Sequence, residues 1–95
     1  MITPPPTIDG AIVLKVADLS HAIPTGRTSH VVTGRPVRNF DALAIAEYEF
    51  EEDFYLFYCD ETWKVITDTR HATVEDAIAQ AEFEYESVAF QDLIP

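Results

Sequence analysis

The chain has 95 residues, of which 47% are hydrophobic and 12% are aromatic, and its formal net charge is −11. This length favours a single domain, and the apolar content excludes a disordered acidic tail. No apolar run approaches the roughly 18 residues that a membrane-spanning helix needs. The single Cys59 allows no internal disulfide, which agrees with a reducing compartment, so we expect a cytoplasmic protein.

The N-terminal part begins with a proline-rich arm over residues 1–9. Residues 11–17 have the β-branched content of a buried strand. Residues 18–39 form an irregular segment that contains three arginines, with one short strand predicted within residues 28–33. Turns are expected in this segment around its prolines and glycines, which are Pro24, Gly26, Gly34 and Pro36.

The next part of the chain predicts an antiparallel meander of three strands, at residues 42–50, 54–59 and 63–67. Short polar turns separate these strands, as hairpin connections require. The middle strand is apolar on both faces, so it should lie in the centre of the sheet and both of its faces should be covered. One helix covers only one face, and the other needs the 11–39 segment or a second copy of the chain.

The helix over residues 73–86 is the clearest element. Thr73 can cap its N-terminus, and Asp76 three residues later resembles a capping box. Its apolar stripe should lie on the sheet and consists of Val74, Ile78, Ala81, Tyr85 and Val88. The expected fold class is therefore α+β, a small mainly antiparallel sheet with one C-terminal helix packed on a face.

Charge is distributed unevenly along the chain. Residues 1–40 carry a net charge of +2, whereas residues 41–95 hold fifteen acids against two bases, for a net charge of −13. Such a field repels nucleic acid and anionic membranes and attracts basic proteins. Acidity can also serve solubility alone, and both interpretations stay open.

The leading hypothesis is a binding module that masks a basic protein partner, as an immunity-type inhibitor does. Phe83 lies on the polar side of the helix and would anchor the partner if it is exposed; its alternative role is contact with the C-terminal tail. The residues assigned to partner binding are Glu51, Glu52, Asp53, Asp60, Glu61, Glu75, Glu82, Phe83 and Glu86.

Two alternatives belong to other classes. The first is a small-ligand or anion site beneath the 18–39 segment, built from Arg27, Arg35, Arg38 and His71. The second is a structural homodimer that buries an open sheet face through residues 42–50 and 54–59.

No motif predicts catalysis, a metal or a cofactor. Cys59 and His71, with Asp60 or Asp68, are residue types of a nucleophilic site, but no cation near Cys59 in the sequence would stabilise a thiolate. The histidines lack zinc-binding spacings, and the acidic turns lack the glycine-containing calcium loop.

One stretch carries a resemblance. The run Tyr55-Leu56-Phe57-Tyr58-Cys59-Asp60, then Trp63, Thr67-Asp68-Thr69, His71, Ala77, Gln80-Ala81-Glu82 and Glu84-Tyr85, is similar to a family of small acidic bacterial proteins of uncharacterised function. The resemblance covers residues 54–88. The resemblance implies a shared fold and no catalytic residue, and size and acidity extend it to immunity proteins.

Overall fold

The computed structural model describes residues 2–37 and 39–93. It is an α+β structure that is mostly β: a curled antiparallel sheet of six strands carries one helix. The sheet strands are β1 (Thr7–Ile8), β2 (Ala11–Asp18), β6 (Ala42–Glu47), β7 (Phe54–Cys59), β8 (Val65–His71) and β10 (Gln91–Asp92). The other elements are β3 (Ile23–Pro24), β4 (His30–Val32), β5 (Arg35–Val37), the helix α1 (Val74–Glu84) and β9 (Tyr85–Glu86).

The predicted meander is confirmed, with strand order β1-β2-β6-β7-β8 and β10 beside β2. The first meander strand ends at Glu47 rather than at residue 50, and Phe50 in the following turn is 93% exposed. The third strand was predicted two residues too early, because the turn that precedes it is longer than expected. Trp63 belongs to that turn with φ of 67°, and the Asp60 N–H donates to the Lys64 carbonyl at 2.9 Å.

The helix is also confirmed, with slightly different bounds. Thr73 is its N-cap, and the Thr73 hydroxyl accepts a hydrogen bond from the Asp76 N–H at 3.0 Å. The helix ends at Glu84, and Tyr85 leaves it in an extended conformation to form β9 with Glu86. The last two residues of the predicted helix are therefore strand.

Both faces of the central strand are buried, as predicted, but by different parts of the chain. On the helix side, Leu56 and Tyr58 of β7 pack with Leu43 and Ile45 of β6 beneath α1. The 18–39 segment packs on this same side. The remaining members of this helix-side core are Ala17, Leu19, Phe40, Ala77, Ala81 and Tyr85.

The other face of the sheet forms a second core, in which the alanines of β6 lie opposite larger side chains of β7. Ala42, Ala44 and Ala46 of β6 lie next to Phe57, and all are at most 2% exposed. Trp63 lies over this core, and its indole N–H donates to the Ile2 carbonyl at 2.8 Å. The other members are Ile8, Ala11, Val13, Val16 and Cys59, with Leu93 packed against them.

This arrangement buries most of the sheet surface that the homodimer hypothesis uses, although Phe50 at the end of the first predicted strand stays exposed. The side chains of residues 42–46 and 56–59 are buried within one copy of the chain. The 11–39 segment was predicted to cover the face of the sheet opposite the helix. Only β2 contributes to that face, because residues 18–37 lie on the helix side. The sheet itself curls over its alanine-rich face.

Candidate functional site

The irregular segment is attached to the end of the helix by its backbone. β3 pairs with β9 in antiparallel register, Ile23 opposite Glu86 and Pro24 opposite Tyr85. Immediately afterwards the Thr25 N–H donates to the Glu84 carbonyl at 2.8 Å. The irregular segment therefore crosses residues 84–86. It then continues into the β4–β5 hairpin, which turns through Thr33 and Gly34 with positive φ at both.

Beneath this segment lies a buried carboxylate, that of Glu84, which is 5% exposed. One oxygen, Oε1, accepts from the Thr28 hydroxyl at 2.5 Å and lies 2.6 Å from His30 Nε2. The other, Oε2, accepts from the Gln80 amide at 3.0 Å and from the Tyr58 hydroxyl. Because an ionised carboxylate only accepts, His30 must donate through Nε2. We call these five residues the Glu84 cluster.

Within the Glu84 cluster, the pKa of Glu84 is lowered and the pKa of Tyr58 is raised. Burial raises the pKa of Glu84, but hydrogen bonds from Thr28, Tyr58, Gln80 and His30 outweigh it and leave that pKa below its ordinary value. Burial and the bond to the carboxylate raise the pKa of Tyr58. Glu84 is therefore an anion at neutral pH, held by four hydrogen-bond donors.

A pocket of about 580 Å³ opens beside the Glu84 cluster. Its lining includes Glu84 and His30, and combines prolines and Phe40 with hydroxyl and amide side chains. The lining residues are Pro24, Thr25, Gly26, Thr28, Ser29, His30, Pro36, Val37, Asn39, Phe40, Glu84 and Tyr85. This volume lies within the range of small-molecule sites.

Two groups in this pocket have unused hydrogen-bonding capacity. Tyr85 is 7% exposed, burial raises its pKa to about 12, and its hydroxyl has no hydrogen-bond partner in residues 2–37 and 39–93. His30 uses Nε2 for Glu84, and its Nδ1 has no partner in the same residues. Both oxygens of Glu84 are occupied, so a ligand here would meet Tyr85, His30, Ser29 and Asn39 rather than the carboxylate.

The acidic residues predicted to bind a partner do not form one surface. β7 runs from Phe54 to Cys59, so Glu51–Asp53 precede one end of it and Asp60–Glu61 follow the other. Six residues of extended strand separate these two groups by roughly 20 Å. The helix carries Glu75, Glu82 and Phe83, and Glu86 follows in β9; all four are exposed.

Three of the predicted binding carboxylates have partners within the chain. Asp60 Oδ1 accepts from the Thr62 hydroxyl and from two backbone N–H groups, which lowers the pKa of Asp60 and shapes the turn. Asp53 accepts from Arg70 Nε at 2.6 Å. Glu51 accepts from the Tyr55 hydroxyl at 2.8 Å.

Phe83 is 47% exposed on the outer side of the helix. The guanidinium carbon of Arg27 lies 5.3 Å from the centre of its ring. The C-terminal tail, the predicted alternative partner, pairs instead with β2 through Gln91 and Asp92, and Leu93 packs against the second core. Ile94 of that tail lies outside the described residues.

The residues of the predicted anion site are not brought together. Arg27 stacks on Phe83, Arg35 is exposed in β5, and His71 lies at the end of β8, where its Nε2 is 2.7 Å from the Thr69 hydroxyl. Arg38 lies outside the described residues. None of the first three lines the pocket, although the pocket does lie beneath the 18–39 segment as that hypothesis required.

The nucleophile–base pairing of Cys59 with His71 is excluded by register. Cys59 pairs with Val65 and Phe54 pairs with His71, so the two residues lie at opposite ends of the β7–β8 ladder. Burial raises the pKa of the Cys59 thiol to about 12, which keeps it protonated. No group of three potential metal ligands occurs in the described part of the chain.

One pattern in the sequence points to Glu84, which the predicted apolar stripe does not include. Ala77, Ala81 and Glu84 follow the i, i+4, i+7 spacing of a buried stripe, so the carboxylate lies on the face of the helix that packs against the sheet. His30 and Tyr58, its partners, are 54 and 26 residues away in the chain, and no local pattern connects them.

Comparison with known proteins finds no matching family model, no matching curated protein and no matching solved structure. The resemblance noted in residues 54–88 therefore stays a prediction. No helix in the described residues is long and apolar enough to cross a membrane.

Proposed function

We propose that this chain is a non-catalytic binding protein that docks a basic protein partner through the outer face of α1. The observation that carries the proposal is the half-exposed Phe83, with exposed carboxylates at Glu75 and Glu82 on the same helix and at Glu86 in β9 just beyond its end. An aromatic residue provides contact area, while the carboxylates attract and orient a cationic partner.

The charge of the rest of the molecule supports this orientation. The ion pairs Lys15–Asp92 and Arg70–Asp53 leave 15 of the 17 acids against 4 of the 6 bases, so the field around the molecule stays negative. The hairpin end that carries Glu51 and Glu52 lies near the start of the helix, because Phe54 pairs with His71 just before Thr73. These two residues would extend the field that attracts the partner. In its narrower form the proposal is an immunity-type inhibitor, in which the partner is a toxin.

The test compares what the tagged protein retains from a host lysate with what a Glu75→Lys/Glu82→Lys/Glu86→Lys variant retains. The control carries Asp41→Lys/Glu49→Lys/Asp68→Lys, which makes the same change in net charge at exposed positions outside the helix. We expect a basic protein to bind the native and control forms. It should bind the Glu75→Lys/Glu82→Lys/Glu86→Lys variant (the helix variant) at least 10-fold more weakly.

The retained protein is then measured in purified form at several salt concentrations. If the helix face docks it, the helix variant should also show a weaker dependence of association rate on salt. Equal affinity for all three forms would contradict the proposal, and so would equal losses in both variants, which would indicate charge alone.

A second candidate function is the binding of a small molecule in the pocket beside the Glu84 cluster. It is favoured by two groups, Tyr85 Oη and His30 Nδ1, that have no hydrogen-bond partner in the described residues. Because Glu84 is anionic and the described arginines do not line the pocket, we expect a neutral, partly apolar ligand rather than a phosphate.

Thermal unfolding with a panel of neutral heteroaromatic compounds and of phosphates tests this candidate, because any ligand of the native state raises the melting temperature. A neutral compound should raise the melting temperature of the native protein, and Asn39→Ala should abolish the increase. An increase with phosphates alone would contradict the assignment.

A further inference from the structure

The turn Thr25–Arg27 is held against the end of the helix in a defined way. The Thr25 hydroxyl donates to the Phe83 carbonyl at 2.8 Å, next to the backbone bond from Thr25 to Glu84. Gly26 has φ of 76°, a conformation that glycine adopts without strain, and this reverses the chain after the attachment. Arg27 is thereby directed back over the outer face of α1.

On that face Arg27 occupies the exposed aromatic ring. Its guanidinium carbon is 5.3 Å from the centre of the Phe83 ring, within the distance of a cation–π contact. Phe83 nevertheless stays 47% exposed, so Arg27 covers only part of it. The chain therefore supplies, from its own turn, the type of group that this aromatic residue binds.

The surroundings of the ring suit a second guanidinium. Ala79 is exposed one helical turn before Phe83, and a helical side chain leans toward that turn, so the space beside the ring is not filled by a long side chain. Glu82 precedes Phe83 and Glu86 follows it closely, and both are exposed. A planar guanidinium can stack on the ring, which an ammonium cannot. Arg27 makes no ion pair with Glu82 or Glu86 in the described residues, so both carboxylates stay available to a partner.

We infer that the partner docks an arginine side chain on Phe83, in competition with Arg27. This inference rests on the proposed function and makes it specific: the partner is recognised through arginine rather than through positive charge in general. Arg27 holds the site closed to weak cations, and a partner displaces it by supplying a guanidinium together with further contacts to the nearby carboxylates.

The test measures binding of two synthetic peptides, nine arginines and nine lysines, at about 150 mM salt by fluorescence anisotropy. The variants are Arg27→Gln, Arg35→Gln and Phe83→Leu. Arg35 is an exposed arginine of the same segment, so its variant makes the same charge change without uncovering Phe83. We expect Arg27→Gln to bind the arginine peptide about 2- to 10-fold more tightly than Arg35→Gln, as the range of cation–π energies implies.

The affinity of the lysine peptide should increase by the same factor in Arg27→Gln and Arg35→Gln, because it depends on net charge alone. Phe83→Leu should remove the preference for arginine over lysine. Equal affinities of Arg27→Gln and Arg35→Gln for the arginine peptide would overturn the inference, as would a preference for arginine that survives in Phe83→Leu. Urea unfolding of each variant verifies that these surface changes leave the fold intact.

Failure of the proposed function gives a different result. If Glu75→Lys/Glu82→Lys/Glu86→Lys binds both peptides as well as the Asp41→Lys/Glu49→Lys/Asp68→Lys control, the helix face is not a docking surface and both proposals are wrong. If the helix variant alone loses binding but the Arg27 and Arg35 variants agree, only the arginine inference is wrong.

Discussion

Glu84 shows how one residue can join parts of the chain that are distant in sequence. Its carboxylate accepts from Thr28 and His30 of the irregular segment, from Tyr58 of the central strand and from Gln80 of its own helix. A buried carboxylate is costly unless such donors surround it, and here both oxygens are satisfied. The position therefore fixes the irregular segment to the helix-side core.

We predict that Glu84→Gln lowers the free energy of unfolding by about 2–4 kcal/mol at neutral pH. The amide keeps the size of the side chain but presents an N–H₂ group to donors that need an acceptor. Urea denaturation measures the loss, and Glu82→Gln, an exposed neighbour on the same helix, is the control. Equal midpoints for the two variants would show that the Glu84 cluster does not stabilise the fold.

The same residue should make stability sensitive to acid. The pKa of Glu84 in the folded chain lies below its ordinary value of 4.5, so its stabilising contribution is present above that pH. The contribution is lost as the pH falls through the folded-state pKa. We expect the difference between the native protein and Glu84→Gln to be largest at neutral pH and to shrink in acid; a constant difference would contradict this.

Cys59 gives a chemical test of the second core. Burial raises the pKa of its thiol to about 12, and the residue is completely buried beside Phe57 and Trp63. We predict that a thiol reagent such as dithionitrobenzoate labels the native protein orders of magnitude more slowly than the urea-unfolded chain. Labelling at the same rate in both states would mean that the face of the sheet is open.

At the scale of elements, the sequence predicted what periodicity and capping determine. The helix and the 54–59 strand were found because their apolar patterns are regular. The strand predicted at 63–67 was misplaced because Trp63 and Val65 alternate as a strand does, whereas hydrogen bonds to Asp60 hold the first two residues in a turn. β3, β9 and β10 have two residues each, too few for any pattern.

The candidate site was harder to predict than the fold. Its donors come from the irregular segment, the sheet and the helix, so only tertiary packing brings them together. Arg27 and Phe83, which were predicted to belong to two different sites, are in contact. Their contact depends on the attachment of Thr25 to the end of the helix, which no local sequence pattern indicates.

The N-cap of the helix is testable independently of the site. The Thr73 hydroxyl accepts from the Asp76 N–H, one of the N–H groups that the helix itself leaves unpaired. We predict that Thr73→Ala lowers the free energy of unfolding by about 1 kcal/mol, whereas Thr73→Ser, which keeps the hydroxyl, loses less than half as much. Urea denaturation distinguishes them, and equal losses would assign the effect to the methyl group.

At the scale of the whole molecule, repulsion between negative charges destabilises the folded chain. The chain carries 17 acids and 6 bases, and fifteen of the acids fall within residues 41–95. Repulsion among exposed carboxylates is screened within about 10 Å at 0.1 M salt.

We therefore predict that the melting temperature rises between 10 and 300 mM sodium chloride. The helix variant Glu75→Lys/Glu82→Lys/Glu86→Lys, which carries less negative charge, should show a smaller increase. Differential scanning fluorimetry measures both proteins, and a melting temperature that falls with salt would mean that ion pairs such as Asp53–Arg70 outweigh the repulsion.

The attachment of residues 25–30 to residue 84 also has a consequence for the time course of folding. These contacts close loops of 54 to 59 residues, whereas the β6–β7–β8 meander and the helix form from neighbours in the chain. Closing a long loop costs entropy before any contact rewards it. The meander and helix should therefore condense first, and the pocket should form later, when the arginine-bearing segment closes over a carboxylate already in place.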